Sequence, residues 1–372
     1  MKKSLVAAVL AGAFATSAYA APSVTLYGLI DTGVNYTHYR ADDGTDSTDT
    51  FSMKSSQAAG SRWGLRGSED LGNGVKVGFT LESGMNTDDG TQTMSRLFGR
   101  EASVNVSGSY GTLYAGRLGK VTSTAGSIAM GSAVTPFGVL YGDAGVEYFT
   151  GTDWGRTDNT IAYRTPAVGG LSLTAEYSFK TDQVSNTTGV ENKASADRYA
   201  ALGLNYKAGA FHGVLLADYT MWKNSGNTAN TDNGYSILLG GNYNFGFMTL
   251  YAQANYFDNQ AIVRKGLANL TLGDVKHTAT LANEGYEGWG VSVGAKVPAF
   301  GGNFLAQVGY RDAEGVKGDE EYKRFGVGLA YTYPFSKRTN VYGAATYAQE
   351  KDDLKDQTPN ATSVMVGLVH RF

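Results

Sequence analysis

From Val24 to the last residue, apolar and polar side chains alternate with a period of two, in one segment after another. In Val24-Thr25-Leu26-Tyr27-Gly28-Leu29-Ile30-Asp31 one parity carries Val24, Leu26 and Ile30, and the other carries Thr25, Tyr27 and Asp31. The pattern returns in 75–82, 171–177, 248–255 and 289–296. Successive side chains of a strand point to opposite faces, so each segment reads as a strand with one apolar and one polar face. Glycine (50 residues) recurs inside these segments, where it would weaken a helix, and proline, which cannot donate to a sheet ladder, is scarce (6 residues). The chain is expected to be all-β.

Such strands could turn their apolar face to the core of a soluble sandwich or to lipid. Segment length and connections decide between the two. Each segment runs near ten residues, about what a tilted strand needs to cross the hydrocarbon layer. Short breaks at 69–74, 108–111, 165–170, 207–210, 245–247, 298–302 and 334–337 alternate with long ones near 39–50, 84–97, 118–157, 180–197, 222–233, 257–285, 312–321 and 350–360. Seven short turns and eight long loops imply sixteen strands, an even count, with all the long loops at one end. This is the plan of an antiparallel transmembrane β-barrel. Aromatics at segment ends suit girdles at the two membrane interfaces: Tyr243 with Phe245, Tyr256 with Phe257, Tyr331 with Tyr333, and Phe325 with Phe372.

The first twenty residues fit export. Lys2 and Lys3 precede an apolar run from Leu5 to Phe14, and Ala18-Tyr19-Ala20 supplies a small-residue cleavage site. Residues 1–20 are read as a signal peptide and 21–372 as one barrel. Removing the leader takes away two lysines and no acid, so the formal net charge goes from -3 to -5. A mildly acidic chain is a poor nucleic-acid binder, and none is expected as a partner. The absence of cysteine excludes a disulfide framework, a thiolate metal site and a cysteine nucleophile. His38, His212, His277 and His370 lie far apart without metal spacing, so neither a metal nor a cofactor is expected. Gly290-Val291-Ser292-Val293-Gly294 matches G-x-S-x-G, but its serine falls mid-strand with no helix after it, which argues against a nucleophile elbow. No catalytic residue is assigned.

At the C-terminus Val364, Val366, Leu368, His370 and Phe372 share one parity, and the chain stops on Phe372. A last strand with a terminal aromatic resembles the assembly signal of outer-membrane barrels.

Further along, the residues resemble the general porins of Neisseria and other β-proteobacteria. The resemblance rests on 24–28, on the run Ser61-Arg62-Trp63-Gly64-Leu65-Arg66-Gly67-Ser68-Glu69-Asp70-Leu71-Gly72-Asn73-Gly74, on 111–113 with Gly116-Arg117, on 159–166 and on 366–372. It spans the whole chain after the leader. It implies a homotrimer in the Gram-negative outer membrane, with lipid, lipopolysaccharide and the barrel assembly machinery as partners. It also implies a third loop folded into each pore as a constriction, and passive diffusion of ions and small hydrophilic solutes. That loop maps onto 118–155, where Pro136-Phe137-Gly138 resembles the family's turn and Asp143, Glu147 and Asp153 are the acids beyond it.

Parity suggests what lines the pore. Arg62 and Arg66 oppose Trp63 and Leu65, and an arginine facing mid-bilayer lipid costs about 2–4 kcal/mol, so both arginines should face the lumen. Arg100 and Arg117 share parity with Ala102, Val104 and Val106 and with Leu113 and Ala115, so parity alone would turn them outward. They could still face inward if the third loop packed on this wall, making its inner face apolar, while its outer face met neighbouring subunits. The resemblance implies inward arginines here, although Gly99-Arg100-Glu101 departs from the family's Asn-Arg-Gln. The expected constriction is therefore Arg62, Arg66, Arg100, Arg117 and Arg156 facing Asp143 and Glu147, with a mild preference for anions. The rival functions are a substrate-specific channel, a barrel enzyme and an adhesin.

Overall fold

The computed structural model describes residues 23–41, 47–184, 189–223, 232–260, 271–272, 275–276, 285–316, 321–352 and 358–372. The expected signal peptide, 1–20, lies outside them.

The strands are β1 (Ser23–Arg40), β2 (Ser47–Ser55), β3 (Arg62–Gly72), β4 (Val75–Gly84), β5 (Glu101–Gly108) and β6 (Gly111–Gly119). They continue as β7 (Arg156–Arg164), β8 (Leu171–Ser178), β9 (Arg198–Ala208), β10 (Phe211–Met221), β11 (Gly234–Asn244) and β12 (Thr249–Gln260). A two-residue pair, β13 (Thr271–Leu272) and β14 (Val275–Lys276), stands apart from the main sheet. β15 (Tyr286–Ala299), β16 (Gly302–Gly315), β17 (Tyr322–Pro334), β18 (Thr339–Asp352) and β19 (Asn360–Arg371) complete the series. No α-helix occurs among the described residues.

In the main sheet each strand pairs antiparallel with the next, except that β2 and β3 both pair with β1 and β12 pairs with β15, and β19 pairs back onto β1 from Leu29↔Arg371 to Arg40↔Asn360. The sheet closes, leaving no edge to aggregate. β2 pairs with the second half of β1 and β3 with the first half, so these two pieces act as one strand interrupted at 56–61. Counted so, the 17-stranded sheet is a barrel of sixteen strands. The seven short turns fall where the alternation places them. The first loop is shorter than expected, because β1 runs to Arg40 and β2 starts at Ser47.

Asp31 explains the interruption. Its carboxylate accepts from the amides of Ala58 (2.6 Å) and Ala59 (2.7 Å) and from the Tyr342 hydroxyl (2.7 Å), while its own amide donates to Ser61 Oγ (2.9 Å). Amides freed from the ladder therefore find a carboxylate acceptor inside the barrel, which removes the cost of leaving them unpaired.

The outer face is apolar. Leu26, Ile237, Leu239, Val291, Val293, Leu329, Val364, Val366 and Leu368 are exposed, Val366 at 55%. Tyr243, Phe245, Tyr256, Phe325 and Phe372 are exposed at strand ends, as girdle residues should be. Phe257 departs from that reading. Neighbouring side chains on a strand alternate, so Tyr256 faces out while Phe257 is fully buried inside, where a Cβ on Gly151 would lie 2.2 Å from its ring.

At the seam the backbones of Gly28 and Phe372 exchange both hydrogen bonds, and a Cβ on Gly28 would lie 2.5 Å from Phe372 Cζ. Glycine at 28 is what leaves room for the terminal ring.

Candidate pore wall and inner loop

The connection between β6 and β7, residues 120–155, is laid against the inner wall. It is closed at its base by the Lys120 amide donating to the Gly155 carbonyl (3.1 Å). Near this base Val121, Ile128, Met130, Val134 and Trp154 pack on Tyr199, Val214, Leu216 and Leu238. At the far end Phe137, Tyr141 and Ala144 pack on Leu305, Ala330, Tyr342 and Ala344. Strand glycines make room: a Cβ on Gly240 would lie 2.7 Å from Val134, on Gly294 2.6 Å from Pro136, and on Gly309 2.3 Å from Phe149. Part of the glycine inside the strands is therefore a docking surface for this loop.

Polar bonds fix the loop's register. Thr135 Oγ1 donates to Gln307 Oε1 (2.6 Å) and Gln307 Nε2 to the Ala144 carbonyl (2.7 Å). The Tyr141 amide donates to the Gln57 carbonyl (2.8 Å), tying the loop to the interruption between β2 and β3. Burial, and next the Asp31 charge, push the Tyr141 hydroxyl above the usual tyrosine range, so it stays neutral.

The seven residues expected at a constriction fall into separate groups. Glu82 stands in register with Gly64 and Glu101, and Glu101 accepts from Ser127 of the inner loop (Oγ to Oε1, 2.5 Å), so this face is lumenal. Glu82 holds two arginines: Arg100 Nε donates to its Oε1 at 2.7 Å, and Arg62 Nε lies 3.4 Å from its Oε2. Tyr27 completes the group through a 3.1 Å bond to Oε2. Arg100 escapes the outward parity because it precedes β5. Arg156 Nε donates to the Arg100 carbonyl (2.7 Å) and has no carboxylate partner among the described residues. Arg66 is exposed, on the same face, with its guanidinium 5.0 Å from the Tyr27 ring.

Arg117 is placed differently. It stands in register with Ala102, which faces Leu81 and, through it, Leu65, whose partner is the exposed Leu26. That chain of partners puts Arg117 on the outer face. There its Nη1 meets Asp158 (2.6 Å), which also binds Arg96 (2.8 Å). Burial opposes the Arg96 charge, and the bonds and charges of Asp158 and Asp182 outweigh it and raise its pKa. The loop carrying Arg96 folds over the outer wall, where Phe98 meets Trp63 edge to face at 6.2 Å. The inner face of β5 carries Glu101, Ser103 and Asn105, so it is polar, contrary to the apolar face expected there.

Asp143 lies against the wall of β17 and β18, where its Oδ1 accepts from Arg324 Nη2 (2.8 Å). Arg324 Nη1 donates to Glu350 (2.8 Å), and Arg311 reaches Glu350 (3.3 Å) and the Tyr148 carbonyl (3.0 Å). Arg311, Arg324 and Glu350 are wholly buried. Glu147 is buried nearby. Glu82, Arg311, Arg324 and Glu350 were missed in sequence. The two arginines had a signal in their inward parity, opposite to Tyr310 and Phe325.

Val364, Val366, Leu368 and Phe372 all lie exposed on the outer face. His370 shares their parity, and its Nδ1 lies 2.9 Å from Thr339 Oγ1. Ser292 of the G-x-S-x-G run is buried mid-strand in β15, where it accepts from Gln253 Nε2 (3.2 Å).

A family profile described as Gram-negative porin matches residues 6–353. An outer membrane porin of Bordetella pertussis is 35% identical over the full length of both chains. Outer membrane porin protein 32 of Delftia acidovorans is 32% identical over 95% of this chain and 91% of its own. Among solved structures, an anion-selective porin from Comamonas acidovorans aligns with a TM-score of 0.63 at 27% identity, covering 94% of this chain and all of that one.

Proposed function

The chain belongs to the Gram-negative porin family and is an outer-membrane diffusion channel, and we propose that its lumen prefers anions. The carrying observation is a charge imbalance. On the lumenal wall Arg62 and Arg100 share the carboxylate of Glu82, Arg156 beside them has no ion-pair partner, and Glu101, the other acid in register there, is bound to the hydroxyls of Ser103 and Ser127, so three arginines stand against two acids. The loop acid Asp143 is bound to Arg324 of β17 and offers little to offset them. Uncompensated positive charge at a narrow, low-dielectric waist raises the local anion concentration and lowers that of cations. The structural relative's own description as anion-selective supports this reading.

The constriction is taken to form between the inner loop and the wall bearing Arg62, Arg66, Arg100 and Arg156. The assembly is taken to be a trimer, with the outer face near Trp63, Phe98 and Arg117 turned to a neighbouring subunit. There the arginine pair of Asp158 would be shielded from lipid, where a charge is costly. Residues 1–20 would be removed on export, and the exposed parity of Val364 to Phe372 would be read by the assembly machinery.

Reversal potential across a planar bilayer in a potassium chloride gradient tests the central claim. A potential of anion sign supports it, and one of cation sign would overturn it.

A further inference from the structure

Away from the arginine group, toward the short-turn end of the barrel, a half-open pocket of about 200 Å³ lies between the inner loop and the wall of β7 to β10. Its polar lining is Arg164, Lys207, His212, Asn205, Ser172 and Ser132. The register places the wall groups on the lumenal face: Arg164 pairs with the buried Thr174, Asn205 with Ser172 and with Val214, and Lys207 with His212. Val214 itself packs on the loop. No carboxylate lines the cavity, and neither Arg164 nor Lys207 has an acidic partner among the described residues.

The neutral groups are already ordered. Asn205 Oδ1, which can only accept, meets His212 Nε2 at 2.6 Å, so that nitrogen carries the proton, and Asn205 Nδ2 donates to Ser172 Oγ (3.4 Å). Arg164 commits only Nε, to Thr174 Oγ1 at 3.1 Å, which aligns the guanidinium and leaves its terminal N–H groups open. A planar donor fork, an ammonium and two hydroxyls around a small space suit a compact anion with several acceptor oxygens better than a spherical halide.

From this geometry we infer that Arg164 and Lys207, with Ser132 and Ser172, form a binding cup for small oxyanions beneath the inner loop. The cup is a second station on the anion path, separate from the Arg62–Glu82–Arg100 group. It rests on the reading of the lumen as an anion pathway.

The test uses the full protein in planar bilayers, in potassium chloride titrated with inorganic phosphate. Wild type is expected to show saturable reduction of current. Arg164→Gln combined with Lys207→Gln should raise the half-blocking phosphate concentration about fivefold or more. The swap Arg164→Lys with Lys207→Arg, which keeps both charges, should retain most of the block. Arg62→Ser with Arg100→Ser should move the reversal potential and leave the block in place. No block in wild type, an unchanged half-blocking concentration in the glutamine variant, or loss of block only in the serine variant would each overturn the cup. Block that survives in a channel without anion preference would support the cup and count against the wider reading.

Discussion

Asp143 and Arg324 are joined at 2.8 Å, so an acid of the inner loop is spent on the wall behind it and not on the arginines of Glu82. The bond belongs to a buried group in which Arg324 and Arg311 converge on Glu350, with the Arg324 guanidinium 4.2 Å from the Tyr148 ring.

Arg324→Gln strips one partner from that group and leaves Glu350 and Asp143 undercompensated. Breaking a buried pair costs about 3–5 kcal/mol. Thermal unfolding in detergent should fall clearly, and single-channel current should become noisier as the loop loosens. Unchanged melting together with quiet current would refute this role.

Replacing Arg62 and Arg100 by Ser is expected to shift the reversal potential toward cations, with the anion-to-cation permeability ratio dropping roughly twofold or more. Glu82→Gln should shift it the other way, because it frees both arginines. A potential that stays put in both variants would move the constriction elsewhere.

Phe149→Ala tests the fit of the loop on the strand glycines. This ring is fully buried over Gly309 and Gly326, and emptying such a site costs about 3–5 kcal/mol. Equilibrium unfolding in urea with refolding controls gives the measurement, and a loss under about 1 kcal/mol would mean that the loop is held by its polar bonds alone.

Native mass measurement in mild detergent should give three chains. Arg96→Glu, which sets like charges against Asp158 and Asp182 on the outer wall, should shift the population toward monomers. Finding only monomers in the wild-type protein would sink the trimer.

Much of the fold was legible because a two-sided strand writes its two faces into alternate residues. Leu26 and Leu65, or Val364 and Val366, declare the outer face without further help. The interruption at 56–61 was not legible, since it depends on Asp31, a residue distant in sequence whose carboxylate replaces ladder partners. The site was read less well for a related reason. Parity orients a side chain only within a regular strand, and Arg100 lies one residue before its strand begins. Parity did place Arg117 outward, and the expectation from the family had turned it inward. Charge partners lie on other elements, Glu82 for Arg100 on the adjacent strand and Arg324 for Asp143 far along the chain, and alternation within one segment carries no information about them.

The seating of Phe372 on Gly28 has a consequence for closure of the wall. The first and last strands are two raw borders until they meet, and this contact holds one end of their seam, so a barrel that lacks it should close more slowly and stay open longer to periplasmic proteases. Gly28→Val should slow closure in this way, because the added branches would occupy the ring's place. Equal amounts of protease-resistant barrel from the valine variant and the wild type would break that link.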